Sequence, residues 1–190
     1  VDEIISEVFE LFPSDIPLKK LPTQYIGFSP EHKGFAGTIS LSSNLITSMI
    51  KEVGGQLSEM GFKRLILING HGGQISLLNT AARELRSFAP GMAVFPCFLW
   101  SGVNGLSELL TKTEMVDGLH ASLAETSLML ALKPELVGDE RPHECIKDDI
   151  PEGWSLEGNA PTAWLTDDFS KSGVIGDSRG ANESLGKNLK

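Results

Sequence analysis

Two short segments hold the residue types that could do chemistry. The first is Asn69-Gly70-His71-Gly72-Gly73-Gln74, a glycine-rich turn around one histidine. A neutral imidazole can ligate a metal or move a proton, and Gly70, Gly72 and Gly73 let the backbone bend sharply and approach a ligand closely. The same hexapeptide also reads as a tight turn with an incidental histidine. The second segment runs Asp117-Gly118-Leu119-His120-Ala121-Ser122-Leu123-Ala124-Glu125-Thr126-Ser127. Glu125 lies among Leu123, Ala124, Leu128, Met129, Leu130 and Leu132. A carboxylate in so apolar a stretch must be paired, protonated or metal-bound, because burying it bare is costly. His120 is five residues earlier, about 140° away around a helix, so the two can serve one site only if His120 precedes the helix. Plainer roles also exist: Glu125 complementing the helix dipole, His120 bonding backbone at a helix start, Asp117 filling a turn.

Other titratable groups are less pointed. Glu31-His32 could be a ligand pair but reads more simply as surface loop. His143 and Glu144, following Pro142 in a polar stretch, read as solvated. The chain has no Walker sequence and no G-x-G-x-x-G.

The elements around these residues follow from apolar spacing. The run Leu65–Ile68 leads into the histidine turn, and Gln74–Phe88 continues it as a helix with Ile75, Leu78, Ala81, Ala82 and Leu85 inward. Met92–Leu99 reads as the next strand. Strand, helix, strand at this spacing is a βαβ unit with parallel strands, and open α/β sheets place ligands at the carboxyl ends of such strands. Val1–Phe12 carries a helical stripe, residues 13–22 are a proline-rich loop, and Gln24–Phe28 is a candidate strand. Ser42 or Ser43 can cap a helix with Leu45, Ile46, Met49, Ile50, Val53, Leu57 and Met60 on one face, weakened at Gly54-Gly55 and ended by Gly61. Ala121–Leu132 is a further, largely apolar helix closed by Pro134. Residues 140–190 are loop-rich, with Trp154, Trp164 and Phe169 as expected anchors.

A length of 190 residues suits a single domain with a sizeable core. Sixteen basic against 25 acidic residues give a net charge of −9, which argues against nucleic acid or anionic membrane as partners. No apolar run approaches the ~20 residues of a membrane span. Cys97 and Cys145 show no C-x-x-C spacing, Cys97 sits in an apolar run that reads as core, and a reduced cytoplasmic setting is expected. The chain opens at Val1 already in a helical pattern, so sequence ahead of it is expected.

Taken together, the motifs resemble the creatininase (creatinine amidohydrolase) family. Glu31-His32-Lys33-Gly34-Phe35-Ala36-Gly37-Thr38-Ile39-Ser40-Leu41 is similar to its E-H-x-x-F-P-G-T-I-S-L segment, residues 69–74 to its N-G-H-G-G-N turn, and residues 120–127 to its H-A-G-E-x-E-T-S segment. Gly173-Val174-Ile175-Gly176-Asp177 resembles its C-terminal G-V-x-G-D-P. The resemblance implies a three-layer α/β/α sandwich around a mainly parallel sheet, a homo-oligomer (a hexamer in the family), and hydrolysis of non-peptide or cyclic C–N amide bonds in a small-molecule substrate or a modified peptide tail. It implies a dinuclear divalent metal site holding zinc, manganese or iron, with His71 on one metal and Glu125 on the other. His120 would be the acid/base or substrate-orienting group, and Asp117 a substrate-positioning one.

Departures from the family pattern qualify that picture. Its first metal motif, an E-x-H followed within about a dozen residues by Asp, does not occur in residues 1–190, and the strand carrying it is expected to be missing too, leaving a central strand unpaired. Catalytic metals take about three protein ligands, so these residues on their own are expected to lack catalysis. Gln74 stands for the usual Asn, and Ser122-Leu123 for Gly-Glu. Gly72, Gly73 and Val116 stand where creatininase proper has an aromatic, an acidic and an aromatic residue, so creatinine itself is not the expected substrate. The rival expectation is a catalytically inactive short paralogue acting as a scaffold or small-molecule binder.

Overall fold

The computed structural model describes residues 1–144, 150–157 and 160–190; Cys145 lies outside the described residues. The chain forms two compact units, Val1–Lys33 with Gly37–Val103, and Gly34–Ala36 with Asn104–Lys190.

In the first unit, the apolar stripe at the start forms helix α1 (Asp2–Leu11), yet none of its residues is buried. Asp2 accepts from Lys20 Nζ at 2.6 Å and Thr23 Oγ1 at 2.8 Å, tying the proline-rich loop to the helix's first turn. The strand expected at Gln24–Phe28 does not form. Instead, Leu41 N donates to Gly27 O and Phe28 N to the Gln74 side chain, so single bonds replace a ladder.

Helix α2 (Ser43–Glu59) starts at Ser42, whose Oγ accepts from Leu45 N, and stops at Gly61, whose φ of +95° suits glycine. Its buried stripe is narrower than the spacing suggests. Ile46 and Ile50 are buried, whereas Leu45, Val53 and Met60 are exposed. Gly54-Gly55 are not a weak point but a contact: a Cβ on Gly54 would overlap the Leu85 side chain, so their absence lets two helices meet closely.

The βαβ unit is present. Strands β1 (Arg64–Asn69) and β2 (Ala93–Phe98) run parallel, with Leu65 opposite Val94 and Asn69 opposite Phe98, and helix α3 (Ile75–Phe88) connects them. The core comprises Ile46, Ile50, Leu78, Ala81, Leu85, Ala89 and Met92, with Leu65, Leu67 and Val94 packed on it. Full burial of one such leucine stabilises by about 2 kcal/mol. The other strand face leaves Ile66, Ile68, Phe95 and Cys97 exposed. Cys97 is therefore not a core residue: alternation along β2 turns it to the opposite side from Val94. Among the described residues, β1 pairs only with β2.

The second unit contains short helices α4 (Leu106–Leu109) and α5 (Lys112–Asp117), then α6 (Leu123–Leu132) and α7 (Glu183–Leu189). Strands β3 (His143–Glu144) and β4 (Gly176–Asp177) pair antiparallel. Helix α7 packs closely on α6, where a Cβ on Gly186 would overlap the Ser127 carbonyl. Trp164 and Phe169 meet edge to face at 6.3 Å, but Trp154 is exposed and anchors nothing. Glu144 is not merely solvated, since it accepts from Lys171 N and Ser172 N. No helix among the described residues is long and apolar enough to cross a membrane.

Candidate metal centre

The histidine turn is built by the last residue of β1. Asn69 is buried, and its side chain clasps the backbone of His71: Nδ2 donates to His71 O at 2.8 Å, and Oδ1 accepts from His71 N at 2.9 Å. The same Oδ1 accepts from Gln74 Nε2, while Gln74 Oε1 accepts from Phe28 N. Gln74 thus links the turn to the segment that leads into Glu31 and His32. Those two lie in a single 3-10 turn, Pro30–His32, whose leading proline has its φ fixed near the helical value.

The outcome is a cluster of three side chains. Glu31 is buried, with Ser29 Oγ donating to its Oε1 at 3.2 Å. His32 Nε2 stands 3.6 Å from that oxygen and His71 Nε2 2.6 Å from it. One ligand atom from each of the three residues can be chosen so that all lie within 4.8 Å of one another. The buried Nε2 of His71 makes no properly directed hydrogen bond despite its close approach to Glu31. A Cβ on Gly73 would overlap Glu31 Oε1 and come within 2.7 Å of His71 Nε2, so only glycine leaves room for this arrangement.

The electrostatics match the geometry. Burial pushes the Glu31 carboxyl up, but the neighbouring His71, a backbone bond and the nearby His32 outweigh it and hold the group below its ordinary range. Burial lowers His32, and although Glu31 opposes this, its pKa stays below the ordinary histidine value. An ionised carboxylate beside a neutral imidazole is the protonation state that divalent metals require of their ligands. The reading of Glu31-His32 as surface loop is therefore corrected. Their polar, glycine-flanked setting suggests exposure, and bonds invisible in local pattern, from Phe28 N to Gln74 and from Ser29 N to Ser40 Oγ, hold the segment in place.

In the second unit, His120 does precede the helix. It lies in the turn before α6, bridged to Ile175 through backbone bonds of 2.9 and 3.1 Å. Glu125 Oε2 accepts from Ala121 N at 2.7 Å, and Thr126 Oγ1 donates to Ala121 O at 2.8 Å. These bonds brace Ala121 at a φ of +50°, uncommon for a residue with a side chain. Asp117 is exposed, as the last residue of α5. Glu114, which no motif singles out, is buried and caps α6 from outside: Oε1 accepts from Ala124 N and Oε2 from Ser122 Oγ.

The sequence matches the creatininase (creatinine amidohydrolase) family over residues 2–190. The chain belongs to the creatininase family. A mycofactocin precursor peptide peptidase of Mycobacterium tuberculosis (strain H37Rv) is 28% identical over 192 residues, covering 94% of this chain and 65% of that protein. A creatinine amidohydrolase of Pseudomonas putida is 30% identical over 135 residues, covering 64% of this chain and 52% of that one. The chain thus spans less than two thirds of the length of these relatives. Among solved structures, a creatinine amidohydrolase (creatininase) superposes with a TM-score of 0.67 at 24% identity, covering 87% of this chain and 67% of the other. A Bacteroides fragilis protein assigned as a creatinine amidohydrolase reaches 0.77 at 20% identity, covering 99% and 74%. These likenesses give the chain the α/β creatininase fold, whose parallel sheet is represented here by β1 and β2. In this chain the space beside Gly73 is taken by Glu31.

Proposed function

We propose that these residues belong to a metal-dependent amidohydrolase of the creatininase type, acting on a non-peptide or cyclic C–N amide bond. The observation that supports this most is the Glu31–His32–His71 cluster, placed at the carboxyl end of a parallel strand in a creatininase-family chain. Two imidazole nitrogens and a carboxylate oxygen suit zinc and, less selectively, manganese or iron. A divalent metal bound there supplies an acidified water and polarisation of the amide carbonyl.

The chain's own residues do the rest. Asn69 fixes the His71 backbone, and so the direction from which its ring approaches the metal. By family motif, His71 and Glu125 serve as metal ligands, His120 hands a proton to the leaving nitrogen, and Asp117 positions substrate. The backbone of Gly70, Gly72 and Gly73 borders the substrate. The relatives named for a precursor peptide and for creatinine bracket the substrate class. Gly72, Gly73 and Val116 turn this chain away from creatinine and toward an amide at a peptide's modified end. The same reading carries a cytoplasmic homo-oligomer and one domain embracing both units.

The test is hydrolysis by full-length protein loaded with zinc, manganese or iron, assayed on creatinine, formamides, cyclic amides and peptides with modified ends. Expected is metal-dependent amine release that is lost in His120→Ala and absent with creatinine. A second reading is a catalytically inactive family member that binds without turnover. No hydrolysis of any class by folded, metal-loaded protein would establish it instead.

A further inference from the structure

We propose that Asn104 is a site of spontaneous deamidation, converted by water to aspartyl and isoaspartyl forms, while the same dipeptide in the histidine turn is protected by its hydrogen bonds. This modification lies outside the residues assigned above to metal and substrate, and it does not depend on them.

The reaction needs only the chain and water. The Gly105 amide nitrogen attacks Cγ of Asn104 and closes a five-membered succinimide. The side-chain nitrogen leaves as ammonia, and the amide proton of Gly105 leaves with it. Water then opens the ring. Cleavage at Cγ restores the ordinary peptide bond and leaves an aspartate; cleavage at the backbone carbonyl leaves an isoaspartyl linkage that runs through the side chain. One water is consumed, one ammonia is released, and nothing is oxidised or reduced. A glycine in second place favours the attack because it has no Cβ to crowd the nitrogen.

Two Asn-Gly pairs occur in the sequence, Asn69-Gly70 and Asn104-Gly105, and the fold treats them differently. Asn69 is buried, and its side chain is held at both ends: Nδ2 donates to His71 O, and Oδ1 accepts from His71 N and Gln74 Nε2. Swinging Cγ onto the Gly70 nitrogen would break these bonds together and leave buried polar atoms unpaired, which is costly. Asn104 is exposed, as are its neighbours Gly102, Val103 and Gly105. Among the described residues no hydrogen bond holds its side chain or the Gly105 amide; Gly105 is engaged through its carbonyl, which accepts from Glu108 N at 3.0 Å. Space is open around both flanking glycines, which stand at φ of +75° and +84°.

A third pair supports the contrast. Asp117-Gly118 could close the same ring, but Gly118 N donates to Glu114 O at 2.9 Å in the last turn of α5. Both pairs beside proposed site residues are therefore restrained, and the free one lies elsewhere. Its position gives the change a consequence. Asn104 begins the second unit directly after Val103 ends the first, and Gly105 caps α4. Deamidation adds a negative charge there, and the isoaspartyl form adds one main-chain atom to that junction.

The test follows the full-length protein in mildly alkaline buffer at body temperature, with peptides read over time by mass spectrometry. Electron-transfer fragmentation separates aspartyl from isoaspartyl products. Urea-unfolded protein is the reference, because both Asn-Gly pairs are free in it. In the folded protein Asn104 should react within about threefold of its unfolded rate, and Asn69 at least about tenfold below its own, since Asn69 must wait for local opening. Gly105→Ala should slow the reaction at Asn104 several-fold, because a Cβ then crowds the attacking nitrogen. Asn104 protected as strongly as Asn69, or Asn69 reacting first in folded protein, would overturn the proposal. Aspartate at Asn104 with no isoaspartyl product would overturn the succinimide route.

Discussion

His71 and His120 each sit just ahead of a helix, and each has a carboxylate close by in the chain's fold, but the two carboxylates are used differently. Beside His71, Glu31 faces two imidazoles and a hydroxyl, and the one backbone amide it meets is its own. Beside His120, Glu125 and Glu114 are engaged by amides of the turn and first residues of α6, with Ser122 Oγ as a further donor. The first arrangement leaves polar atoms whose natural partner is a ligand. The second completes a helix terminus, whose first amides have no partner inside the helix.

The largest effect that would break this contrast is on stability. Glu114→Ala removes the acceptor of Ala124 N and Ser122 Oγ, both buried. At about 1–3 kcal/mol for each donor left unpaired, the loss should be about 3 kcal/mol. Glu31→Ala takes no acceptor from another residue's backbone amide and should change unfolding free energy by less than about 1 kcal/mol. Urea unfolding at neutral pH without metal compares them. Equal losses would mean that Glu31 is as structural as Glu114.

A methyl group sharpens the contrast further. Gly73→Ala pushes a Cβ into Glu31 Oε1, and the side chains can swing apart, so the stability cost should stay at about 1–2 kcal/mol. Zinc affinity should nevertheless fall at least tenfold, because the donors no longer converge. Zinc titration beside thermal unfolding separates the two readouts. Undiminished zinc binding in Gly73→Ala would show that the tight packing at residue 73 is incidental to the site.

Much of this was readable in the sequence, and the failures share a cause. The βαβ unit, the cap at Ser42, the stop at Gly61 and the placing of His120 ahead of α6 all follow from local period, cap and turn chemistry. Glu31-His32, a possible ligand pair that reads more simply as loop, and Glu114, which carries no local signal, escape the pattern because their roles depend on partners 40 and 10 residues away, at His71 and Ala124. Local polarity made Glu31-His32 resemble loop. Cys97 went wrong for a related reason: an apolar run suggests burial on both faces, whereas the exposed face of β1 and β2 is a property of the whole assembly of elements.

Smaller in size is the strain beside His120. Ala121 holds a φ of +50°, a region that costs a residue with a Cβ about 1–2 kcal/mol. Ala121→Gly relieves this but adds unfolded-state entropy of about 0.5–1 kcal/mol, so a net gain of about 0.5 kcal/mol is expected in chemical denaturation. A loss of stability would mean that the two side-chain bonds to Ala121, from Glu125 and Thr126, do not by themselves hold the turn.

The smallest effect compares Glu31 with a carboxylate in the second unit that is also lowered. Slight burial raises Glu144, but the hydroxyls of Ser170 and Ser172 and the amides of Lys171 and Ser172 outweigh it and bring its pKa to about 2. The unfolded value is about 4.3. A carboxyl lowered on folding contributes stability that is fully present above its unfolded pKa and disappears as pH falls through its folded one. The contribution of Glu144 should therefore be constant above about pH 5 and vanish as pH approaches 2. Because the group is only partly buried, solvent screening keeps the contribution below about 1 kcal/mol. Stability of the parent and of Glu144→Gln, measured from pH 6 to 2, should converge toward the acid end. A difference that stays constant with pH would mean that the loop is held by the shape of the Glu144 side chain and not by its charge. Glu31 offers the opposite case: its Oε1 faces two imidazoles, so added zinc should alter its contribution while leaving that of Glu144 unchanged.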